Sequence, residues 1–152
     1  MDLRAKIPPV PVALIAGAAM WLAARATPDW RLAIPAARVV EVSFAGAGAL
    51  FAALGVVAFR RARTTVDPLH PAKATSLVTS GVYRVTRNPM YLGLLLLLAG
   101  YAVYLANPVT LLGLVAFVAY LDRFQIAPEE AALTAAFGDE FTAYCQRVRR
   151  WL

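Results

Sequence analysis

The residues best equipped for chemistry fall in two short stretches. The first, GVYRVTRNPMYLG at Gly81–Gly93, places Arg84 and Arg87 just before an Asn-Pro step and sets Tyr83 and Tyr91 on either side. Asn88 suits a helix N-cap, and Pro89 suits the first helical position, where a missing N–H and a fixed φ do no harm. A helix starting there presents free amides and the positive end of its dipole. With guanidinium groups alongside, that set would hold a carboxylate or a phosphate. Taken alone, the two arginines read first as anchors to lipid phosphates. The second stretch, APEEAALTAAFGDEFTAYCQRVRRWL at Ala127–Leu152, opens with Pro128, Glu129 and Glu130. Acidic residues in a first helical turn favour the dipole in any case. Paired carboxylates at that place would also hold a cation or accept hydrogen bonds from sugar hydroxyls.

Other chemistry has less to build on. The single cysteine, Cys145, excludes an intrachain disulfide framework and a cysteine-based metal site, and it reads as filler. The single histidine, His70, has neither an acid nor a nucleophile beside it, so no catalytic residue is assigned. No metal is expected. The formal net charge of +6 invites a nucleic-acid partner. Basic patches interleaved with aromatic residues are missing, however, and anionic lipid headgroups account for the charge more simply.

The elements that must position these residues are apolar. Of 152 residues, 61% are hydrophobic and 16% charged, a balance outside that of soluble domains and expected of an integral membrane protein. The expected fold is all-α, with four transmembrane helices at about residues 9–24, 39–59, 90–106 and 108–122. Pro8, Pro9 and Pro11 sit at the entry of the first span, where proline is tolerated. The second contains FAGAGALFAALG, whose small residues allow close helix approach in lipid. Asn107-Pro108 interrupts a charge-free run and makes a helical hairpin of the last two spans.

If the spans alternate, Arg4, Lys6, Arg60, Arg61, Arg63, Lys73, Arg84, Arg87, Arg123, Arg147, Arg149 and Arg150 share one side, against Arg25, Arg31 and Arg38 on the other. The positive-inside rule then places both termini, the loop 60–88 and the tail 123–152 in the cytoplasm, the first span being retained rather than cleaved. Chemistry belongs at that cytoplasmic edge, most simply of a bacterial inner membrane. In the tail, Leu133, Phe137, Phe141, Tyr144, Val148 and Trp151 recur at helical spacing, as in a helix lying along the interface or against the spans, and Gly138-Asp139 would break it in two. Glu41 needs a partner at membrane depth, and Arg38 lies one turn before it. The whole chain reads as one domain.

With both stretches placed, LVTSGVYRVTRNPMYLG at Leu77–Gly93, an apolar hairpin and EEAALTAAFGDEFTAYCQRVRRWL at Glu129–Leu152 follow in order, and the chain resembles the integral-membrane methyltransferases, which include isoprenylcysteine carboxyl methyltransferase and small phospholipid methyltransferases. The resemblance covers about the C-terminal half. It implies S-adenosylmethionine as cofactor, bound between the cytoplasmic end of the hairpin and the tail. The arginine-X-proline-X-tyrosine segment falls on Arg87, Pro89 and Tyr91, with Gly93 following, and the double glutamate on Glu129 and Glu130; Tyr83 and Asn88 complete the implied cofactor-binding set. Asn88 stands where the family carries histidine, which keeps a polar side chain and removes a titratable one.

Methyl transfer from a sulfonium is in-line displacement, for which alignment and exclusion of water suffice. Four apolar spans point to a lipophilic acceptor entering from the bilayer, an isoprenylcysteine-like carboxylate or a phospholipid amine. Two other readings stand beside this one: an NADPH-dependent membrane reductase, since membrane sterol reductases resemble the same C-terminal region, and a non-enzymatic lipid-binding protein.

Overall fold

The structure, a computed structural model, describes residues 7–62 and 76–152. Arg4, Lys6, Arg63 and Lys73, counted above on the cytoplasmic side, and His70 lie outside the described residues. Regular structure is helical, with no strand among the described residues: α1 is Pro9–Ala26, α2 Ala37–Arg61, α3 Pro89–Leu105, α4 Leu111–Leu121 and α5 Ala127–Arg147. Three helical stretches, α1, α2 and Pro108–Arg147, are long and apolar enough to cross a membrane. The helix α3, at 17 residues, is a shorter apolar one. At 1.5 Å per residue it is roughly 25 Å long, less than the roughly 30 Å of a hydrocarbon core. Large apolar side chains such as Leu14, Leu22, Leu50 and Leu112 face outward, the arrangement of an integral membrane protein whose solvent is lipid.

The helices α2 and α3 run antiparallel in close contact, because glycines occupy the crossing. A Cβ added to Gly48 would stand 2.7 Å from the carbonyl oxygen of Gly93, and one added to Gly93 would stand 2.7 Å from that of Gly48. Further along, Gly100 lies against Glu41 and Phe44, and Gly55 against Pro89 and Met90. Small residues thus let two backbones touch where lipid supplies no hydrophobic force to join them. Gly93→Ala is expected to lower the unfolding midpoint in detergent, since overpacking against a carbonyl costs about 1–3 kcal/mol. Gly46→Ala, which meets nothing within 4 Å, is the control and should leave the midpoint in place.

The hairpin turn forms at Asn107-Pro108. Ala106 closes α3 in the left-handed region at φ 51°, and the Asn107 carboxamide accepts from the Val109 N–H at 3.0 Å. Its Nδ2 donates to the carbonyl oxygen of Thr27 at 2.8 Å and to the Thr27 hydroxyl at 3.0 Å, tying the turn to the end of α1. Arg25, Arg31 and Arg38 are at this end. Arg38 donates to both Glu41 oxygens at 3.1 Å, the partner expected one helical turn away.

The last helix departs from the expected boundary at residue 122. Pro128 does not start a new helix after a break: α4 passes into α5 through the π-helical turn Asp122–Ile126, with Ile126 itself helical at φ −68° and ψ −45°. Proline lacks an N–H and crowds the carbonyl four residues back, and a wider turn relieves both. The helix breaks later, at Gly138 (φ 50°, ψ −120°), the Gly-Asp step singled out in the sequence. Beyond it Phe141, Tyr144 and Val148 pack as a buried cluster with Leu77, Leu133 and Phe137, which folds α5 over the segment leading into α3.

Candidate functional site

The two chemistry-bearing stretches meet at the end of the bundle opposite Asn107. Residues 80–88 approach α3 through a short 3-10 turn at Gly81–Arg84, with Gly81 at φ 62°. Tyr83 is buried there, edge-on to Phe59 of α2 at 5.5 Å between ring centroids, and its carbonyl oxygen accepts the Tyr144 hydroxyl at 2.7 Å. Burial pushes the Tyr83 hydroxyl well above the usual tyrosine range, so it stays protonated. Arg84 is exposed and takes no part in the cluster described below.

The C-terminal residues clasp the start of α3. The Arg87 N–H donates to the Arg149 carbonyl oxygen at 3.0 Å, and the fully buried Thr86 hydroxyl donates to that of Arg150 at 3.2 Å. Asn88 occupies the N-cap position but makes no side-chain cap; its Nδ2 donates to the Arg150 carbonyl oxygen at 3.0 Å. The expected capping by Asn88 is therefore corrected. The Thr86 hydroxyl takes the Asn88 N–H at 3.2 Å, and this frees the carboxamide to hold the C-terminal segment.

Inside this clasp lies an ionic cluster. Arg87 Nη2 is 3.2 Å from Glu130 Oε1, and Arg87 Nη1 donates to Cys145 Sγ. Arg150 donates to Glu130 through Nε at 3.1 Å and Nη2 at 2.6 Å, a two-pronged contact, and reaches Asp122 Oδ1 at 3.3 Å. The hydrogen bonds to Glu130 raise the Arg150 pKa above its usual value and hold the guanidinium charged. Trp151 Nε1 also donates to Asp122 Oδ1, at 3.2 Å. Glu129 is placed differently: its Oε1 accepts the Tyr91 hydroxyl, and no ion pair reaches it among the described residues. The two glutamates, alike in sequence, thus have separate tasks. Glu130 is held between two arginines, while Glu129 keeps a carboxylate oxygen free of any cation.

The structure accordingly brings Tyr83, Arg87, Asn88, Tyr91, Glu129 and Glu130 to one end of the bundle. Pro89 is buried at the first turn of α3, against the position of Gly55. Gly93 is set apart from them, because its face is filled by Gly48 and Ala52 of α2 and it serves the helix crossing. Cys145, read as filler, touches Arg87 instead. Asp122 and Gln125 belong to the cluster's surroundings and went unassigned in the sequence. Their signals were there: Asp122 is the first charge after the apolar run, and Gln125 follows Leu121 and precedes Glu129 at intervals of four. Nothing local to Cys145 marks it.

Three polar atoms are buried without a hydrogen-bond partner among the described residues: Arg87 Nε and both ends of the Gln125 carboxamide. Such atoms are few in native proteins, and each calls for a partner. An unpaired guanidinium nitrogen, an unpaired amide and a carboxylate without a cation suit a ligand that carries both charge signs.

A family model described as phospholipid methyltransferase matches residues 37–140, which include both stretches up to the middle of α5. An uncharacterized protein of Haemophilus influenzae is 48% identical over 63 residues, covering 41% of this chain and 100% of that protein. A protein of Oryza sativa subsp. indica named "Probable protein-S-isoprenylcysteine O-methyltransferase" is 39% identical over 108 residues, 69% of this chain and 55% of that one. Protein-S-isoprenylcysteine O-methyltransferase B of Arabidopsis thaliana is 32% identical over 104 residues, 66% of this chain and 51% of that one. The chain spans about half the length of these plant relatives. No solved structure matches.

Proposed function

The chain belongs to the phospholipid methyltransferase family, and from that premise we propose that it transfers a methyl group from S-adenosylmethionine to a lipophilic acceptor reached from the bilayer. The observation that carries this reading is a juxtaposition on α3. Its first turn holds the ionic cluster, and its flank forms with α1 an apolar groove of about 700 Å³, lined by Val10, Ala13, Gly17, Trp21, Leu94 and Leu98. A water-soluble ligand of both charge signs and a hydrocarbon chain would meet along the same helix.

When bound, the cofactor supplies a methyl group already activated on a sulfonium. The chain's own part is to hold, orient and keep dry. Arg87, with its unpaired Nε, would take the cofactor carboxylate. Glu129, fixed by the Tyr91 hydroxyl, would take the ammonium or a ribose hydroxyl. Glu130 keeps Arg87 and Arg150 in place, and Tyr83, Asn88 and Pro89 form the wall. A carboxylate acceptor, such as an isoprenylcysteine, needs no base for this reaction; a phospholipid amine must arrive deprotonated. Of the described cations, Arg60, Arg61, Arg84, Arg87, Arg123, Arg147, Arg149 and Arg150 fall at the cluster's end and Arg25, Arg31 and Arg38 at the other. With α3 counted as a fourth crossing, that asymmetry supports a site facing the cytoplasm of a bacterial inner membrane.

Thermal unfolding in detergent tests the reading. S-adenosylhomocysteine should raise the midpoint, with about 2.7 kcal/mol of added stability at a ligand concentration a hundredfold above Kd. NADPH should leave it unchanged. The reverse result would assign a nicotinamide cofactor, and no response to either would leave a lipid-binding protein.

A further inference from the structure

Gln125 is fully buried, and neither its Oε1 nor its Nε2 makes a hydrogen bond of normal geometry among the described residues; the Tyr91 hydroxyl is the polar group near enough to feel the amide. It lies on the π-helical turn Asp122–Ile126, beside the Tyr91 hydroxyl and four residues before Glu129. π-turns recur at functional sites because the extra residue re-aims side chains that a regular helix would point elsewhere. Here the turn carries a carboxamide inward, between Leu121 and Ile126, both fully buried. Filled with leucine, the same position would complete an apolar core at no polar cost. The amide is instead kept where leaving both ends unpaired is costly.

A planar amide offers one donor and one acceptor side by side, and this selects among ligands. A carboxylate would use Nε2 and press its charge on Oε1; an ammonium would do the converse. Vicinal hydroxyls bring more donors and acceptors than one amide satisfies, and the neighbouring Glu129 carboxylate suits them better. The amidine edge of a nucleobase matches both atoms at once, and its ring faces suit the apolar surroundings. Glutamine is a natural two-pronged partner for adenine.

We propose that Gln125 is a binding residue that pairs with the adenine edge of the methyl donor, beside the Tyr91–Glu129 pair. The inference rests on the S-adenosyl cofactor proposed above and assigns the part of it that this buried amide meets.

The test is a binding cycle by calorimetry in detergent. Wild type and Gln125→Leu are each titrated with S-adenosylhomocysteine and with its purine analogue, in which hydrogen replaces the 6-amino group. In the wild type the analogue should bind about tenfold more weakly, the usual effect of one lost hydrogen bond that leaves a buried partner unpaired. Gln125→Leu should bind S-adenosylhomocysteine about tenfold more weakly than wild type does and should no longer distinguish the two compounds. Its ligand-free unfolding midpoint should equal or exceed that of the wild type, because two unpaired polar atoms are gone; a merely structural glutamine would give a lower one. Should Gln125→Leu fail to fold, Gln125→Met, unbranched and similar in length, replaces it in the cycle. Full retention of S-adenosylhomocysteine affinity by the variant, or losses that simply add, would overturn the assignment of Gln125 and leave the cofactor reading standing. Absence of binding by the wild type would overturn both.

Discussion

Arg87→Ala should abolish measurable S-adenosylhomocysteine binding, and Arg87→Lys should restore it only in part. The side chain is 14% exposed and divides its nitrogens among three directions: Nη2 to Glu130, Nη1 to Cys145, and Nε unpaired in the interior. Lysine supplies the charge at one point and cannot occupy three. If Arg87 were an anchor for lipid phosphate, its guanidinium would face outward as that of Arg84 does, and lysine would serve as well. Arg87→Ala should also lower stability. Removing one partner of a buried pair costs about 3–5 kcal/mol when the other is left alone, but Glu130 keeps Arg150, so about 1–3 kcal/mol is expected. Calorimetry on folded protein separates the two effects. Wild-type affinity in both variants would remove Arg87 from the proposed cofactor site.

The two glutamates should part company under the same substitution. Glu129→Gln should weaken S-adenosylhomocysteine binding by about 1–3 kcal/mol, the value of a charge-assisted hydrogen bond, while the unfolding midpoint stays near that of the wild type. Glu130→Gln should act mainly on the midpoint. It strips the charge partner from Arg87 and leaves Arg150 with Asp122 alone, a loss that a neutral amide cannot balance. Its effect on affinity should follow from misplacing Arg87 and be smaller than that of Glu129→Gln once the protein is folded. Equal losses of affinity with equal midpoints would show that the pair acts as one unit.

Local chemistry explains which parts of this arrangement were legible in the sequence. Asn107-Pro108 turned the chain because proline and a side-chain amide act within three residues, and the Gly/Ala run of α2 allowed close approach because that needs only the absence of side chains. Arg38 met Glu41 one helical turn away. The two chemical stretches could be placed at one end because the charges around them have nowhere else to go. What escaped depended on distant partners. The Asn88 carboxamide has a choice between its own helix and the Arg150 carbonyl 62 residues on, and only docking of the C-terminal segment decides it. Pro128 obeys the local rule for a helix start, yet a π-turn lets the helix run through. Gly93 carries a family motif position and a helix crossing at once, and the structure displays the second.

The shortness of α3 bears on the work of presenting an acceptor. Gly55 of α2 lies opposite Pro89 and Met90, so α2 continues to Arg61 for about a turn and a half, roughly 9 Å, beyond the start of α3. In the orientation proposed above, with Arg60 and Arg61 at headgroup level, the start of α3 would lie about that far toward the hydrocarbon. An acceptor of the proposed kind need not be drawn out into water to reach it. Each methylene left among the lipid tails spares about 0.8 kcal/mol of transfer free energy. Keeping half a dozen of them there removes on the order of 5 kcal/mol from the lift, which the soluble cofactor, descending into a polar recess, would otherwise have to wait for.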